Sequence, residues 1–344
     1  GCVGSFGAVL AAVAADQPSP DLSIGRAAYV QHCARCHGET AKGDGPDAKR
    51  LYPKPRDLTE GVFKFRSTAS GTSPTDYDLF QTLEHGLTAG GMPDWSHLDE
   101  ATRWQLVYYI KSLSSTFQDI PPEPVPLGTD PGASGAELAV GKQVYEKLGC
   151  AACHGPSGRA NGPSAFTLVD NWGRVMRPAD LTYGWSYRGG SDPQAILLRL
   201  LTGVDGTPMP SYLEAVSTAD AWQLAYYVHS LQEEPHWTMM AHARFVDGPL
   251  PETATDARWA QAERVDVRLR NVVDAMGEWT APQTVAKLSL WSLANEDAIS
   301  LRLVWHDARE DTTAPAEDRL GVVLRPSFDV AQDGHPESID GRPE

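Results

Sequence analysis

Apolar residues recur at intervals of three and four in two separate parts of the chain, which is the pattern of amphipathic helices. One stretch runs from about Asp99 to Leu113 and the other from about Thr218 to Leu231. They contain the nearly identical sequences WQLVYYIKSL and WQLAYYVHSL. Each is therefore predicted to be a helix with one buried, aromatic-rich face.

Two further pairs of helices are predicted upstream of these. The first helix is expected to begin after Ser23 and to run into the sequence CARCH, and GKQVY at Gly141 repeats its GRAAY. The second is expected to start near Thr75-Asp76, and its counterpart at Ser191-Asp192-Pro193, where proline suits a first turn. Between the first and second helices Gly, Pro and Asp are frequent, which predicts long loops that wrap something other than secondary structure.

The chain thus contains two copies of one domain. Cys36 and Cys153 are 153 − 36 = 117 positions apart, and Met92 and Met209 are 209 − 92 = 117 positions apart. The sequence PRDLT in the first copy also recurs as PADLT in the second. The repeats are predicted to span residues 21–115 and 135–232.

The connecting and C-terminal segments have a different character. The stretch 116–134 contains five prolines and is expected to be an extended, semi-rigid linker. Residues 240–325 are predicted to be β-rich, because alternating segments form a hairpin with Leu288 and Leu290 on one face, answered by Leu301, Leu303 and Trp305. The polar tail 326–344 is expected to be disordered.

The net charge and the N-terminal sequence indicate which partners and which cellular location to expect. The 344 residues carry a net charge of −16, which argues against nucleic acid and anionic lipid as partners. The small and apolar residues from Val3 to Ala15 are typical of a secretory signal, so residues 1–15 are predicted to be a signal-peptide remnant and the protein to be periplasmic. An uncleaved N-terminal anchor and a lipidated Cys2 are the alternatives. After signal cleavage no membrane span is expected.

Four of the five cysteines form two Cys-x-x-Cys-His motifs. A zinc site would need pairs from separate repeats to converge and would not require the histidines. A redox dithiol is expected near a βαβ unit, and a disulfide within one pair would close too short a loop to join distant segments. The motif is that of covalent attachment of haem c, with one axial histidine per haem. The predicted residues are Cys33, Cys36 and His37 in the first copy, and Cys150, Cys153 and His154 in the second.

A methionine is predicted as the second axial ligand in each copy. Met92 and Met209 each follow the motif histidine by 55 positions and lie in loops rich in Gly and Pro. Met176 is the rival in the second copy. His85 and His97 are the rivals in the first copy, and they are interpreted as surface or core histidines.

Together these motifs resemble class I cytochrome c domains. The resemblance implies that a glycine of the first helix packs against an aromatic residue of the last: Gly25 against Tyr108-Tyr109, and Gly141 against Tyr226-Tyr227. His/Met ligation fills both axial positions of a haem iron, which suits a carrier of single electrons. Arg66 and Arg188 are candidates to pair with haem propionates, with a surface position as the alternative.

The C-terminal segment resembles the start of the haem b-binding domain in gamma subunits of ethylbenzene dehydrogenase-type molybdenum enzymes, on the sequence VAKLSLWSLANEDAISLRLVWHDARED. The resemblance implies a β-sandwich that is truncated here. A haem b is therefore not expected, and the candidate ligands Met239, Met240, Met276 and Lys287 are expected to be unligated.

The sequence thus predicts a mainly α protein, with two tandem cytochrome c helical domains followed by a short β-rich, partial β-sandwich segment. The expected function is that of a periplasmic dihaem electron carrier rather than an enzyme, with redox protein partners that include a molybdopterin oxidoreductase or a respiratory component. The alternatives are a dihaem enzyme, such as a cytochrome c peroxidase or thiosulfate dehydrogenase, and a cytochrome subunit of a membrane oxidase.

Overall fold

Both repeats contain helices where the apolar spacing predicts them. The computed structural model describes residues 17–87, 90–118, 122–237, 242–269 and 287–305. The segments 1–15 and 326–344, with Met239, Met240 and Met276, lie outside the described residues. The first repeat contains α1 (Leu22–His32), α2 (Ala34–His37), α3 (Asp76–His85) and α4 (Glu100–Ser112). The second contains α5 (Leu138–Lys147), α6 (Ala151–His154), α7 (Pro193–Thr202) and α8 (Thr218–Ser230).

The first helix differs from its prediction at both ends. It begins at Leu22 rather than after Ser23, because the Asp21 carboxylate accepts hydrogen bonds from the backbone N–H groups of Ser23 and Ile24. It also does not run unbroken into the motif, since α1 ends before Cys33 and α2 starts after it. The start of α3 is as predicted, with Thr75 and Asp78 forming a capping box.

The first and last helices of each repeat approach each other at a glycine. A Cβ atom on Gly25 would lie 2.3 Å from the backbone oxygen of Gln105, and one on Gly141 would lie 2.2 Å from that of Gln223. The next atoms met are the Cβ atoms of Tyr109 and Tyr227. The expected glycine–aromatic packing is confirmed, and it fixes the contact between the first and last helices of each repeat.

Arg66 joins the two repeats. Its guanidinium is fully buried and forms an ion pair of 2.8 Å with Asp205 of the second repeat. It also donates to the backbone oxygens of Thr202, Phe63 and Ala69. Both predictions for Arg66 are therefore wrong, because its side chain is neither on the surface nor free to pair with a haem propionate.

The linker contributes to the second repeat. Val125 is buried in the core that Trp222, Leu224 and Leu197 form, and its N–H donates to the oxygen of Ser67. The indole N–H of Trp222 donates to the oxygen of Leu127. Residues 122–132 contain no helix, and these contacts fix them against the second repeat.

The C-terminal strands form a sheet around β3 (Lys287–Ala294). One edge of β3 pairs antiparallel with β4 (Ile299–Trp305). The other edge pairs with β2 (Val265–Arg268), antiparallel, and with β1 (Arg244–Phe245), parallel. The predicted hairpin is confirmed in its register, with Leu288 opposite Trp305 and Leu290 opposite Leu303. The described residues supply this single sheet and not the second sheet of a sandwich.

None of the helices in the described ranges has the length and apolar character that crossing a membrane requires.

Candidate haem-binding sites

Each motif histidine is oriented by a backbone carbonyl. His37 Nδ1 lies 3.0 Å from the oxygen of Arg56, and His154 Nδ1 lies 2.8 Å from the oxygen of Ala179. Because a carbonyl only accepts hydrogen bonds, Nδ1 carries the proton and Nε2 keeps its lone pair for a metal. Burial lowers the pKa of both imidazoles, against the opposing effect of these hydrogen bonds, so both rings are neutral at pH 7.

These carbonyls belong to the repeated PRDLT and PADLT sequences, whose role sequence reasoning missed. Asp57 accepts hydrogen bonds from the N–H and hydroxyl of Thr59, at 2.8 and 2.5 Å. Asp180 does the same for Thr182, at 2.9 and 2.6 Å. The Asp-x-Thr turn fixes the loop, and thereby the carbonyl that precedes the aspartate. Its recurrence in both copies was the signal that could have identified it.

The motif cysteines are free thiols. Burial raises the pKa of Cys33 to about 12 and that of Cys150 to about 11. Both are therefore protonated at neutral pH, unlike a reactive thiolate. No group of three or more His, Cys, Asp or Glu side chains is placed to hold a metal ion within the described ranges, so the two cysteine pairs do not converge on one zinc site.

The structure brings each motif together with its predicted methionine. One cavity of ≈ 170 Å³ is lined by Cys33, Cys36, His37 and Met92, and another of ≈ 840 Å³ is lined by Cys150, Cys153, His154 and Met209. The same hydrogen bond recurs inside each methionine loop. Leu87 N–H donates to the oxygen of Met92, and Val204 N–H donates to the oxygen of Met209. Met176 lines the second cavity as well.

The rival histidines of the first repeat lie elsewhere. His85 and His97 are both exposed, and neither lines the cavities. His85 Nε2 is 3.0 Å from the side-chain oxygen of Gln81. The prediction that these two are not site histidines agrees with their positions.

Both cavities are strongly basic, although the chain is acidic overall. The first is lined by four Lys or Arg side chains and no acidic one, and the second by ten against two aspartates, among the described residues. Burial, with the charges of Arg56 and Arg188, lowers the pKa of Lys64 to about 7. Such a cluster of cations calls for an anionic occupant.

The side chains therefore fit haem c, which carries two carboxylates beside its iron. Lys64, Arg56 and Arg188 line both cavities at their common boundary. The buried indole nitrogen of Trp185 has no hydrogen-bond partner among the described residues, and Trp185 lines the second cavity. A carboxylate would satisfy that donor as well as the cations.

Comparisons with known proteins agree with this geometry. Residues 20–110 match the model for cytochrome c oxidase, cbb3-type, subunit III, and residues 138–232 match the cytochrome c model. A chain in the Kuenenia stuttgartiensis reducing HAO-like protein complex Kustc0457/Kustc0458 is 40% identical, with a TM-score of 0.59; the match covers 63% of this chain and 100% of that one. The protein belongs to the cytochrome c family. It contains two such domains in tandem, as the sequence predicts.

Curated relatives of this cytochrome include cbb3-type oxidase subunits. CcoP of Azospirillum brasilense is 29% identical over 61% of this chain and 62% of its own length. FixP of Azorhizobium caulinodans is 25% identical over 60% of this chain and 58% of its own. The matched region thus spans about three-fifths of these relatives, and the β segment lies C-terminal to both family-model matches.

Proposed function

We propose that this cytochrome is a periplasmic dihaem electron carrier. His37 and Met92 are the axial ligands of one haem c, and His154 and Met209 are those of the other. The observation that carries the proposal is the pairing, in each cavity, of a carbonyl-oriented histidine with a methionine at the same repeat position.

The side chains have distinct tasks in holding the group. When bound, haem c supplies a one-electron Fe(III)/Fe(II) couple. The thiols of each motif would form the thioether bonds to its vinyl groups, and Nε2 of His37 and of His154 would each bind one iron. Met92 and Met209 would each supply the second protein ligand to an iron, in the place that a peroxidase keeps for peroxide. This full coordination supports a carrier over a peroxidase.

The fixed contact between the repeats supports electron exchange inside the molecule. Arg199 of the second repeat donates to the backbone oxygens of Lys64 and Arg66, at 3.3 and 2.6 Å. Asp205 accepts from Ser70 Oγ and Gly71 N–H, at 2.7 and 2.9 Å. These contacts fix the repeats against each other at the boundary common to the two cavities, and a fixed separation between two haems would favour electron exchange between them.

The partners we propose are redox enzyme complexes. The similarity to subunits of cbb3-type oxidases and to a chain in an HAO-like complex favours a place as a cytochrome subunit of a larger assembly. A molybdopterin oxidoreductase is the narrower proposal, and it rests on the C-terminal resemblance. Lys287, the candidate haem b ligand in the described residues, instead donates to Glu233 at 3.1 Å.

Cyanide binding to the oxidised holoprotein separates carrier from enzyme. We expect the wild-type spectrum to be unchanged by millimolar cyanide, and we expect variants Met92→Ala and Met209→Ala each to bind it at one haem. Cyanide binding or rapid peroxide turnover by the wild type would replace the carrier proposal with a dihaem peroxidase.

A further inference from the structure

The β segment reaches the second cavity. Arg268, the last residue of β2, lines it together with His154, and so does Leu269. Among the described residues, the lining of the first cavity comes from positions 29–188 alone. The residues beyond both family-model matches therefore contribute to one site and not to the other.

Arg268 is stacked on a residue with an unsatisfied donor. Its guanidinium carbon lies 4.9 Å from the centre of the Trp185 ring, which meets Trp237 edge-on at 5.1 Å and stacks on Tyr183 at 5.4 Å. The indole N–H of Trp185 is the buried, unpartnered donor described above. Guanidinium and indole N–H groups only donate, so a common ligand must be a hydrogen-bond acceptor, and a carboxylate adds the charge that pairs with the guanidinium.

Buried polar contacts attach the β segment at this position. The Asp266 carboxylate accepts hydrogen bonds from His236 N–H at 2.8 Å and from Ser289 Oγ at 2.5 Å. Lys287 Nζ pairs with Glu233 and lies 5.1 Å from the centre of the Tyr183 ring. Lys287 lies opposite Arg268 in the sheet, and Asp266 precedes Arg268 by two positions on β2. The contacts of Asp266 and Lys287 therefore fix the position of the Arg268 backbone.

Among the described residues, the first repeat has no indole at the position that corresponds to Trp185. Phe63 in FKFR occupies the place of Trp185 in WSYR, and it packs on Phe117 at 5.6 Å. A phenyl ring has no N–H to offer. The two sites therefore differ in how they can bind a carboxylate.

We propose that Arg268 and Trp185 bind a carboxylate of the haem in the second cavity, so that the β segment raises the reduction potential of that haem alone. The inference rests on the proposed function, since it requires haem c in both cavities. A cation beside a haem carboxylate offsets its negative charge and thereby favours the reduced iron.

The test is a spectroelectrochemical titration of the holoprotein and of Arg268→Gln. Met92→His and Met209→His assign the two midpoint potentials, because each lowers the potential of its own haem. In Arg268→Gln, we expect the reduced-to-oxidised ratio of the second haem, at its wild-type midpoint, to fall at least about twofold, with the first haem unchanged. Arg302→Gln is the matched control, since Arg302 stacks on Trp291 in the same sheet and does not line the cavity.

Two further variants complete the test. Trp185→Phe keeps an aromatic ring but removes the indole N–H, and it is expected to lower the potential of the second haem too. Arg268→Lys keeps the positive charge and is expected to retain most of the wild-type potential of that haem. No shift in Arg268→Gln, equal shifts of both haems, or the same shift in Arg302→Gln would overturn the inference. Loss of a haem from the wild type, or no effect of either Met→His change, would instead contradict the proposed function.

Discussion

The orientation of His37 and His154 depends on two carbonyl oxygens that are 25 or fewer positions away in the chain. Each hydrogen bond selects the tautomer that presents Nε2 to the cavity. A side-chain substitution does not remove a backbone acceptor. A substitution in the adjacent Asp-x-Thr turn can instead move the carbonyl and so change the orientation of the histidine. The two aspartates of these turns act on the histidines only through the loop.

The second cavity offers two methionines, and a pair of variants distinguishes them. Met209→Leu is expected to remove the sulfur ligand and to abolish about half of the weak far-red absorption of the oxidised protein. Met176→Leu, a matched change in the same cavity, is expected to preserve it, because Met176 has no counterpart in the first repeat. Loss of this absorption in Met176→Leu, with retention in Met209→Leu, would reverse the ligand assignment.

At the residue scale, the sequence predicts the positions of residues that belong to a repeated motif. It does not predict the roles of residues that depend on burial in the folded protein. The Cys-x-x-Cys-His motifs and the methionines are repeated at 117 positions, which is sufficient to locate them. Arg66 was misassigned because only the assembled interface shows that its guanidinium faces Asp205. Arg268 was not singled out, since nothing in an alternating strand indicates which cavity its end will reach.

Helix packing at Gly141 predicts a measurable loss of stability at the scale of elements. Gly141→Ala places a methyl group against the backbone of Gln223 in α8, which cannot yield without moving the helix. We expect the free energy of unfolding to fall by about 1–3 kcal/mol in denaturant titrations. Gln143→Ala, an exposed change on the same helix, should alter it by less than about 0.5 kcal/mol. Equal effects of the two changes would show that α5 and α8 do not pack closely at the glycine.

Attachment of the β segment is expected to weaken in acid. Burial acts to raise the pKa of Asp266, but the hydrogen bonds from Ser289 and His236 and the charge of Lys287 outweigh it and lower the pKa below its ordinary value. The stabilisation is therefore present above the unfolded-state pKa of about 4 and is lost as the pH falls through the folded-state value.

Amide hydrogen exchange checks this pH dependence. Exchange in β2 and β3 should accelerate relative to α8 when the pH is lowered from 7 to 3, after correction for intrinsic rates. Asp266→Asn should remove much of this acid dependence. A β segment that loosens instead as the pH rises would contradict the assigned role of Asp266.

At this scale the helices and the hairpin register followed from periodicity, because each is a local pattern. The position of the sheet against the second repeat does not follow from periodicity, because it depends on a few polar contacts of Asp266 and Lys287. Lys287 and Ser289 are buried on one face of β3, whereas Leu301 and Trp305 of its partner strand remain partly exposed. An apolar pattern alone would have placed the opposite face inward.

At the scale of the whole molecule, the buried Arg66 is one of the contacts that join the two repeats. Arg66→Met would remove the ion pair with Asp205, which keeps its hydrogen bonds from Ser70 and Gly71, and would remove the guanidinium donor from three carbonyl oxygens. We expect the free energy of unfolding to fall by about 3 kcal/mol, and the two repeats to unfold in separate steps. Lys111→Met, which breaks the partly exposed ion pair with Asp76, should cost less than about 1 kcal/mol. Similar costs for both variants would show that the Arg66 guanidinium adds little to the contact between the repeats.

The central claim is that each Cys-x-x-Cys-His motif holds one covalent haem. The most direct measurement is the pyridine haemochrome content per chain after organic extraction of free haem. The account predicts two haems in the wild type and one in each double variant, Cys33→Ala with Cys36→Ala and Cys150→Ala with Cys153→Ala. A wild type with no extraction-resistant haem, or a variant that keeps both haems, would contradict it.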